Sequence, residues 1–358
     1  MFDIDSITSQ VKHNCDISDA KYWGYYSPCG LLLRLRDLYK FEHALRPWEP
    51  IDHRRIKKWI EEKEQLWAEL EQSEFQRIEI NGKSYDPFDS RKINGLLTGQ
   101  RYVYSAGYGN MLKPVFVLSG LEGDFKKGRF RIYYSGRELA RDLSTSPAMI
   151  QGNTVFSRVE TMAHFFWGKY EEMRSRRCSG ALSLAFSEYG ITKDGGNRAV
   201  SEKLGKTITR IARDELATYI YHEFGEASQR RTLGTWWKEL LAEMPYSRAE
   251  LFLRALKDIR ADTCNAGMLA HIIKERKTAS LHFYLALLSG FRKILFSDIV
   301  PASERFMTSE DWRLIEEARV KGYKRAGEYV MQLKAMYDNG RASVGAIENE
   351  LIPQPDIS

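Results

Sequence analysis

Apolar residues recur at helical spacing over residues 19–74 and again, with breaks, from Ser135 to about Tyr337, and between these stretches they alternate. In the first stretch Asp19 to Tyr26 reads as a short aromatic helical turn. Ser27-Pro28 then offers an N-cap followed by proline in the first turn, which predicts a helix to about Leu45. Arg46-Pro47-Trp48-Glu49-Pro50 ends it. Asp52 caps a third predicted helix running to Glu74, with Ile56, Ile60, Trp67 and Leu70 near one stripe.

From Phe75 the period changes to two. Gln76 to Ile80 alternates, Asn81-Gly82-Lys83 turns, and Arg101 to Ser105, Pro114 to Ser119 and Arg129 to Tyr134 alternate likewise. This predicts a small antiparallel sheet whose last hairpin connection is Gly123 to Gly128. In its last strand Phe130, Ile132 and Tyr134 fall on the core face, with Arg129, Arg131 and Tyr133 outward. After Ser135-Gly136 the strongest predicted helices are about Thr154–Arg174, Ala199–Ala227, Ser247–Ile259, Gly267–Phe296 and Ser309–Tyr337. Breaks are expected near Ser144–Pro147, Gly190–Asn197, Arg230–Gly234, Pro245 and Val300–Ser303. The predicted fold class is α+β. N-terminal helices with a small antiparallel β-sheet occupy residues 1–150, a mainly helical C-terminal bundle domain residues 151–342, and a loose tail residues 343–358.

A chain of 358 residues, 43% of them hydrophobic, is long enough for two cores. The net charge of +6 is spread evenly: residues 1–150 carry 23 basic and 21 acidic side chains, the remainder 31 and 27. That balance does not single out a polyanionic partner. Cys15, Cys29, Cys178 and Cys264 form no CxxC and suggest reduced thiols rather than a zinc site or a disulfide framework. The opening MFDIDSITSQ lacks the basic start and apolar core of a signal peptide, and no apolar run reaches 18 residues. Leu281 to Phe296, broken by Arg292-Lys293, reads as a central bundle helix. A cytoplasmic protein without a membrane partner is expected.

The blocks WGYYSPCGLLLRLRDLYK, SGRELARDL with PAMIQGNT, and SLHFYLALLSGFRKILF resemble an uncharacterised bacterial protein family with separate N- and C-terminal domains of unknown function. The resemblance covers most of the chain. It implies a cytosolic protein divided near residue 150 and carries over no catalytic residues.

Candidate chemistry is sparse. Arg34, Arg36 and Asp37 sit among leucines, and a charge in so apolar a setting must be paired, solvated or functional. Arg34 and Asp37, three residues apart, can form a structural ion pair. Alternatively Arg34 or Arg36 offers bidentate donors to an anion or carboxylate, in a pocket closed by Tyr25 or Tyr26 with His43 nearby. The leading expectation is therefore a cytosolic binding or accessory protein, with a small-molecule or protein partner and a pocket between its two parts.

A second reading is a bundle metalloenzyme holding two iron or manganese ions. Glu160 and His164 are one turn apart, as are His222 and Glu226. Glu215 lies seven residues before His222, and His271 and Glu275 share a stripe if the Gly267–Phe296 helix is continuous. Against it, such sites use Glu-x-x-His at i, i+3, and these pairs are spaced i, i+4. A third reading is weak nucleic-acid binding through Lys126, Lys127, Arg129 and Arg131, on a segment that partly follows an RNA-recognition strand but has arginine where that motif places stacking aromatics. Gly107-Tyr108-Gly109 and Gly120-Leu121-Glu122-Gly123 lie among antiparallel strands rather than in a βαβ unit, and neither GxSxG nor HExxH occurs, so no motif assigns a cofactor or a reaction.

Overall fold

The computed structural model describes residues 2–109, 112–175, 180–192 and 202–353; Cys178 lies outside them. The chain divides into two compact units, Met1–Glu171 with Arg198–Leu216, and Glu172–Asn197 with Ala217–Ser358. The fold class is α+β.

The first unit opens with a helix that the aromatic segment alone did not reveal. Helix α1 (Ile4–Tyr22) is capped by Asp3 and buries Ile7, Val11 and Cys15, four residues apart along one face. That face packs on Tyr104, Phe116, Leu118 and Ala140 of the sheet. Helix α2 (Pro28–Glu42) starts as its sequence predicts: Ser27 Oγ accepts from the Gly30 amide, with Pro28 in the first turn. Asp52 likewise caps α3 (His53–Leu70). Leu35, Leu38 and Tyr39 of α2 pack with Trp59 and Trp67 of α3.

Asn81 and Gly82, both at positive φ (52° and 73°), join β1 (Ile78–Ile80) to β2 (Lys83–Tyr85) as the Asn-Gly signal requires. After α4 (Ser90–Leu97) comes the main sheet: β3 (Tyr102–Tyr108), β4 (Pro114–Lys127), β5 (Phe130–Arg141), β6 (Ala148–Gln151) and β7 (Thr154–Arg158), in the order β3-β4-β5-β7-β6. It is a mixed sheet rather than an antiparallel one, because β7 runs parallel to β5.

Three expectations are corrected here. SGRELARDL is not the start of a helical region: β5 runs through it to Arg141, and helix α5 (Val159–Ser175) begins only after β7. Glu138, Arg141 and Asp142 have the spacing of a helix surface, yet all three are buried, and Glu138 and Arg141 are partnered inside the unit. The β4–β5 strands also pair through the predicted connection up to Lys127 and Phe130. Tyr133, expected outward, is buried with Val103, Leu121 and Phe156. Both faces of the sheet carry apolar clusters, so alternation does not distinguish core from solvent there.

Helix α6 (Ala181–Ser187) belongs to the second unit. Helix α7 (Glu202–Ser228) begins in the first unit and ends in the second. The second unit continues with α8 (Arg230–Ala242), α9 (Arg248–Thr263), α10 (Met268–Lys274), α11 (Thr278–Leu287), α12 (Gly290–Leu295), α13 (Ile299–Ser309), α14 (Trp312–Asp338) and α15 (Val344–Glu350). Its core joins Phe252, Leu256 and Ile259 of α9 to Ile315, Val330 and Leu333 of α14. The continuous helix expected over Gly267–Phe296 is broken twice, at Arg276 (φ 51°) and at Gly290 (φ 54°), so the helix that carries His271 ends at Glu275 and the condition for the expected stripe fails. The break expected at Val300–Ser303 is the first part of α13, with Pro301 tolerated near the start of the helix. Within the segment read as a loose tail, Val344–Glu350 forms α15, with Ile347 and Ile352 buried, and residues 354–358 lie outside the described residues.

Candidate functional site

Arg34 is positioned by α2, whose start the Ser27 cap fixes. Its Nη1 donates to the Leu143 carbonyl at 2.9 Å and to Thr145 Oγ1 at 2.8 Å, and its guanidinium lies 4.4 Å from the centre of the Tyr26 ring. No described carboxylate pairs with it, and Nε and Nη2 make no hydrogen bond with described residues. The weighed ion pair with Asp37 does not form, because Arg36 takes that carboxylate through Nε and Nη2, both at 3.1 Å, and reaches Glu171 through Nη1 at 2.9 Å.

Arg34 lines a cavity of about 270 Å³ with Tyr22, Tyr26, Lys113, Thr145 and Phe165. Lys113 forms the buried end of the polar wall. Its Nζ lies 3.0 Å from Asp19 Oδ1 and 3.5 Å from Asp142 Oδ1, and donates to Ser18 Oγ at 2.9 Å. Burial opposes the Lys113 charge, but the two aspartates outweigh it and hold the ammonium protonated. Burial pushes the Asp19 carboxyl above the usual carboxylate range; Lys113 counters this and Asp142 adds to it. Lys113 thus meets two aspartates, one of which burial makes reluctant to ionise, while Arg34 meets none. Asp19 also accepts from the Leu143 amide at 3.1 Å, so the carboxylate that holds Lys113 fixes the loop that receives Arg34. The arrangement can bind a small anion: two unused guanidinium nitrogens, an aromatic wall and a cation with no carboxylate of its own.

Family models match residues 6–158 as the N-terminal domain, and residues 163–354 as the C-terminal domain, of a family of unknown function, DUF6866. The chain belongs to the DUF6866 family. No curated protein and no solved structure matches it.

Of the sequence-derived ligand residues in this DUF6866 chain, Arg34 and Tyr26 meet at the cavity, while Arg36 and Asp37 pair with each other. His43 stacks on Tyr39 at 4.0 Å, with Nδ1 2.9 Å from the Tyr39 carbonyl. Sequence reasoning missed Tyr22, Lys113 and Thr145. The one signal for Lys113 was a lysine set directly against the apolar run of β4.

A larger cleft of about 1000 Å³ in the same unit includes Arg46, Trp48, Glu122, Arg137, Glu160 and Arg213. Its charges largely cancel in pairs, Arg213 with Glu122 at 2.6 Å, Lys12 with Glu42 at 3.2 Å and Lys206 with Glu202 at 2.9 Å, so it expresses little preference for a ligand's charge. On the β4–β5 hairpin, which carries Lys126, Lys127 and Arg129, Arg131 is bonded to Asp124 at 2.6 and 2.9 Å and lies 4.8 Å from the Tyr133 ring centre.

The seven residues of the metal reading are dispersed in role. Glu160 accepts from the Glu138 amide at 2.7 Å, His164 is buried with Nδ1 3.8 Å from Asp37, and Glu215 is buried in the first-unit part of α7. His271 stacks on Tyr221 at 3.9 Å, and Glu275 ends α10 with its side chain half exposed. Only His222 and Glu226 share a potential ligand group, and their partner is Asp258, which the sequence did not single out.

Proposed function

We propose that the protein binds a small carboxylate-bearing molecule in the Arg34 cavity. The observation that carries this reading is that Arg34 lines a cavity with no carboxylate partner and two donor nitrogens uncommitted, while Thr145, Leu143 and Tyr26 hold it in place. A guanidinium fixed on one edge presents its remaining donors at little conformational cost, which suits bidentate binding of a planar carboxylate. The volume of about 270 Å³ fits a compact ligand. The lining belongs wholly to the first unit, and all of it but Phe165 lies in the residues matched as the N-terminal domain. The second unit then serves an accessory role in a cytoplasmic protein.

The test is ligand-observed NMR and calorimetry with a panel of small alkyl and aryl carboxylates, and with inorganic phosphate as a non-planar control. At least one carboxylate should bind, and Arg34→Ala should weaken it about 10- to 100-fold, the range for losing charge-assisted hydrogen bonds. No binding by any carboxylate, or equal binding to Arg34→Ala, refutes the reading.

A further inference from the structure

In the second unit α7 passes close over α9. A Cβ added at Gly225 would stand 2.2 Å from the Ala261 carbonyl oxygen, so glycine is needed for this approach. The contact brings His222 and Glu226, one turn apart on α7, to Asp258 and Asp262, one turn apart on α9. Asp262 is fully buried. It takes His222 Nδ1 at 2.6 Å on one oxygen and Arg292 Nη2 at 2.8 Å on the other, which fixes the imidazole. Nε2 then faces Glu226 Oε1 at 3.6 Å, and the donor atoms of His222, Glu226 and Asp258 lie within 4.8 Å of one another.

A buried carboxylate behind Nδ1, with Nε2 turned to other ligand groups, is how proteins orient a metal-binding histidine. Asp258 supplies an independent observation. It is half-buried, and its side chain makes no hydrogen bond or ion pair with any described residue, so its oxygens are uncommitted. The His222 and Glu226 side chains are 21% and 22% exposed, leaving an approach from solvent.

We propose that His222 Nε2, Glu226 and Asp258 bind one first-row divalent cation, with Asp262 as the positioning residue behind His222. One imidazole and two carboxylates make a mixed nitrogen and oxygen set, which suits Mn²⁺ or Zn²⁺. Three donors about 2.1 Å from one ion stand about 3.0–3.4 Å apart, so the side chains close inward on binding. The ion competes with Lys257, whose Nζ holds Glu226 Oε1 at 2.8 Å.

The experiment uses the full chain, treated with chelator and then freed of it, with Mn²⁺ followed by electron paramagnetic resonance and Zn²⁺ by competition with a chromophoric chelator. One ion per chain should bind. Asp258→Asn, which breaks no hydrogen bond, and Glu226→Gln should each lower affinity about 10-fold or more, while Lys257→Met, by removing the competing cation, should raise it. A purely structural ion-pair network predicts no stoichiometric uptake in any of these chains and only a loss of stability in Lys257→Met, since Glu226 would lose its partner without gaining a ligand. The proposal is overturned by the absence of stoichiometric uptake of either ion at about 100 μM, by affinity unchanged in Asp258→Asn and Glu226→Gln, or by affinity not raised in Lys257→Met.

Discussion

Replacing Glu138 with glutamine tests how the sheet of the first unit is held to α5. Glu138, at the end of β5, is fully buried. Its two oxygens take Arg158 Nε at 2.8 Å and Nη2 at 2.9 Å, Thr161 Oγ1 donates at 2.8 Å, and Arg141 stands at 3.5 Å. Burial alone would raise its carboxyl, but Arg158 and Arg141 bring it down to about 2 from the ordinary 4.5. At about 1.4 kcal/mol per tenfold change in proton affinity, that difference is worth about 3 kcal/mol to the folded state. Glutamine keeps the shape and the bond to Thr161 but leaves two buried guanidinium groups without their anion, so Glu138→Gln should cost about 3–5 kcal/mol. The sign with pH follows: the carboxylate's contribution is complete above about 4.5 and is lost as pH falls towards 2. Hydrogen exchange read by mass spectrometry, peptide by peptide, should show β5 and β7 opening faster in the variant at pH 7. Urea titrations from pH 5 downwards should show a shallower acid loss in the variant than in the parent. A loss under about 1 kcal/mol, or parallel acid profiles, refutes the reasoning.

Two further substitutions probe other close contacts. Lys63 is buried between Asp16 and Glu42, at 2.8 Å from each, so Lys63→Ala leaves Asp16 without its cation and Glu42 with Lys12 alone, and should destabilise the α1–α3 contact by about 3 kcal/mol, read as faster exchange of both helices. Gly225→Ala places a methyl group against the Ala261 carbonyl, and the helices must part by about 1 Å. A loss of about 1–3 kcal/mol in thermal unfolding is expected, together with weaker Mn²⁺ uptake, since α7 and α9 jointly supply the ligands.

Local signals were legible where the residue itself sets the geometry. Ser27-Pro28, Asp52 and Asn81-Gly82 each mark the boundary or turn that the structure contains, because capping and positive φ depend on a few neighbouring atoms. The failures came where tertiary compensation reverses a local reading. Glu138 and Arg141 have the periodicity of a solvated helix face, yet Arg158, twenty residues beyond Glu138, gives that glutamate an anion's place inside the sheet. Arg276 and Gly290 break a long apolar segment through backbone angles, and apolar periodicity carries no record of them. At the candidate site Arg34 and Tyr26 are close in sequence and were both found. Lys113 and Thr145 reach the same cavity from 79 and 111 positions beyond Arg34, and Lys113 gave only the signal of a charge beside a core strand.

The same compensation separates Arg34 from four other buried or half-buried cations of its unit. Lys63 is balanced by Asp16 and Glu42, Lys113 by Asp19 and Asp142, Arg158 by Glu138, and Arg36 by Asp37 and Glu171. In each case the chain supplies a carboxylate within 3.5 Å, which offsets the cost of removing the cation from water. Arg34 has neutral oxygens and an aromatic face in place of that carboxylate. Those partners orient a guanidinium without neutralising it, and at the edge of a cavity that leaves its charge for an anion the chain does not itself provide.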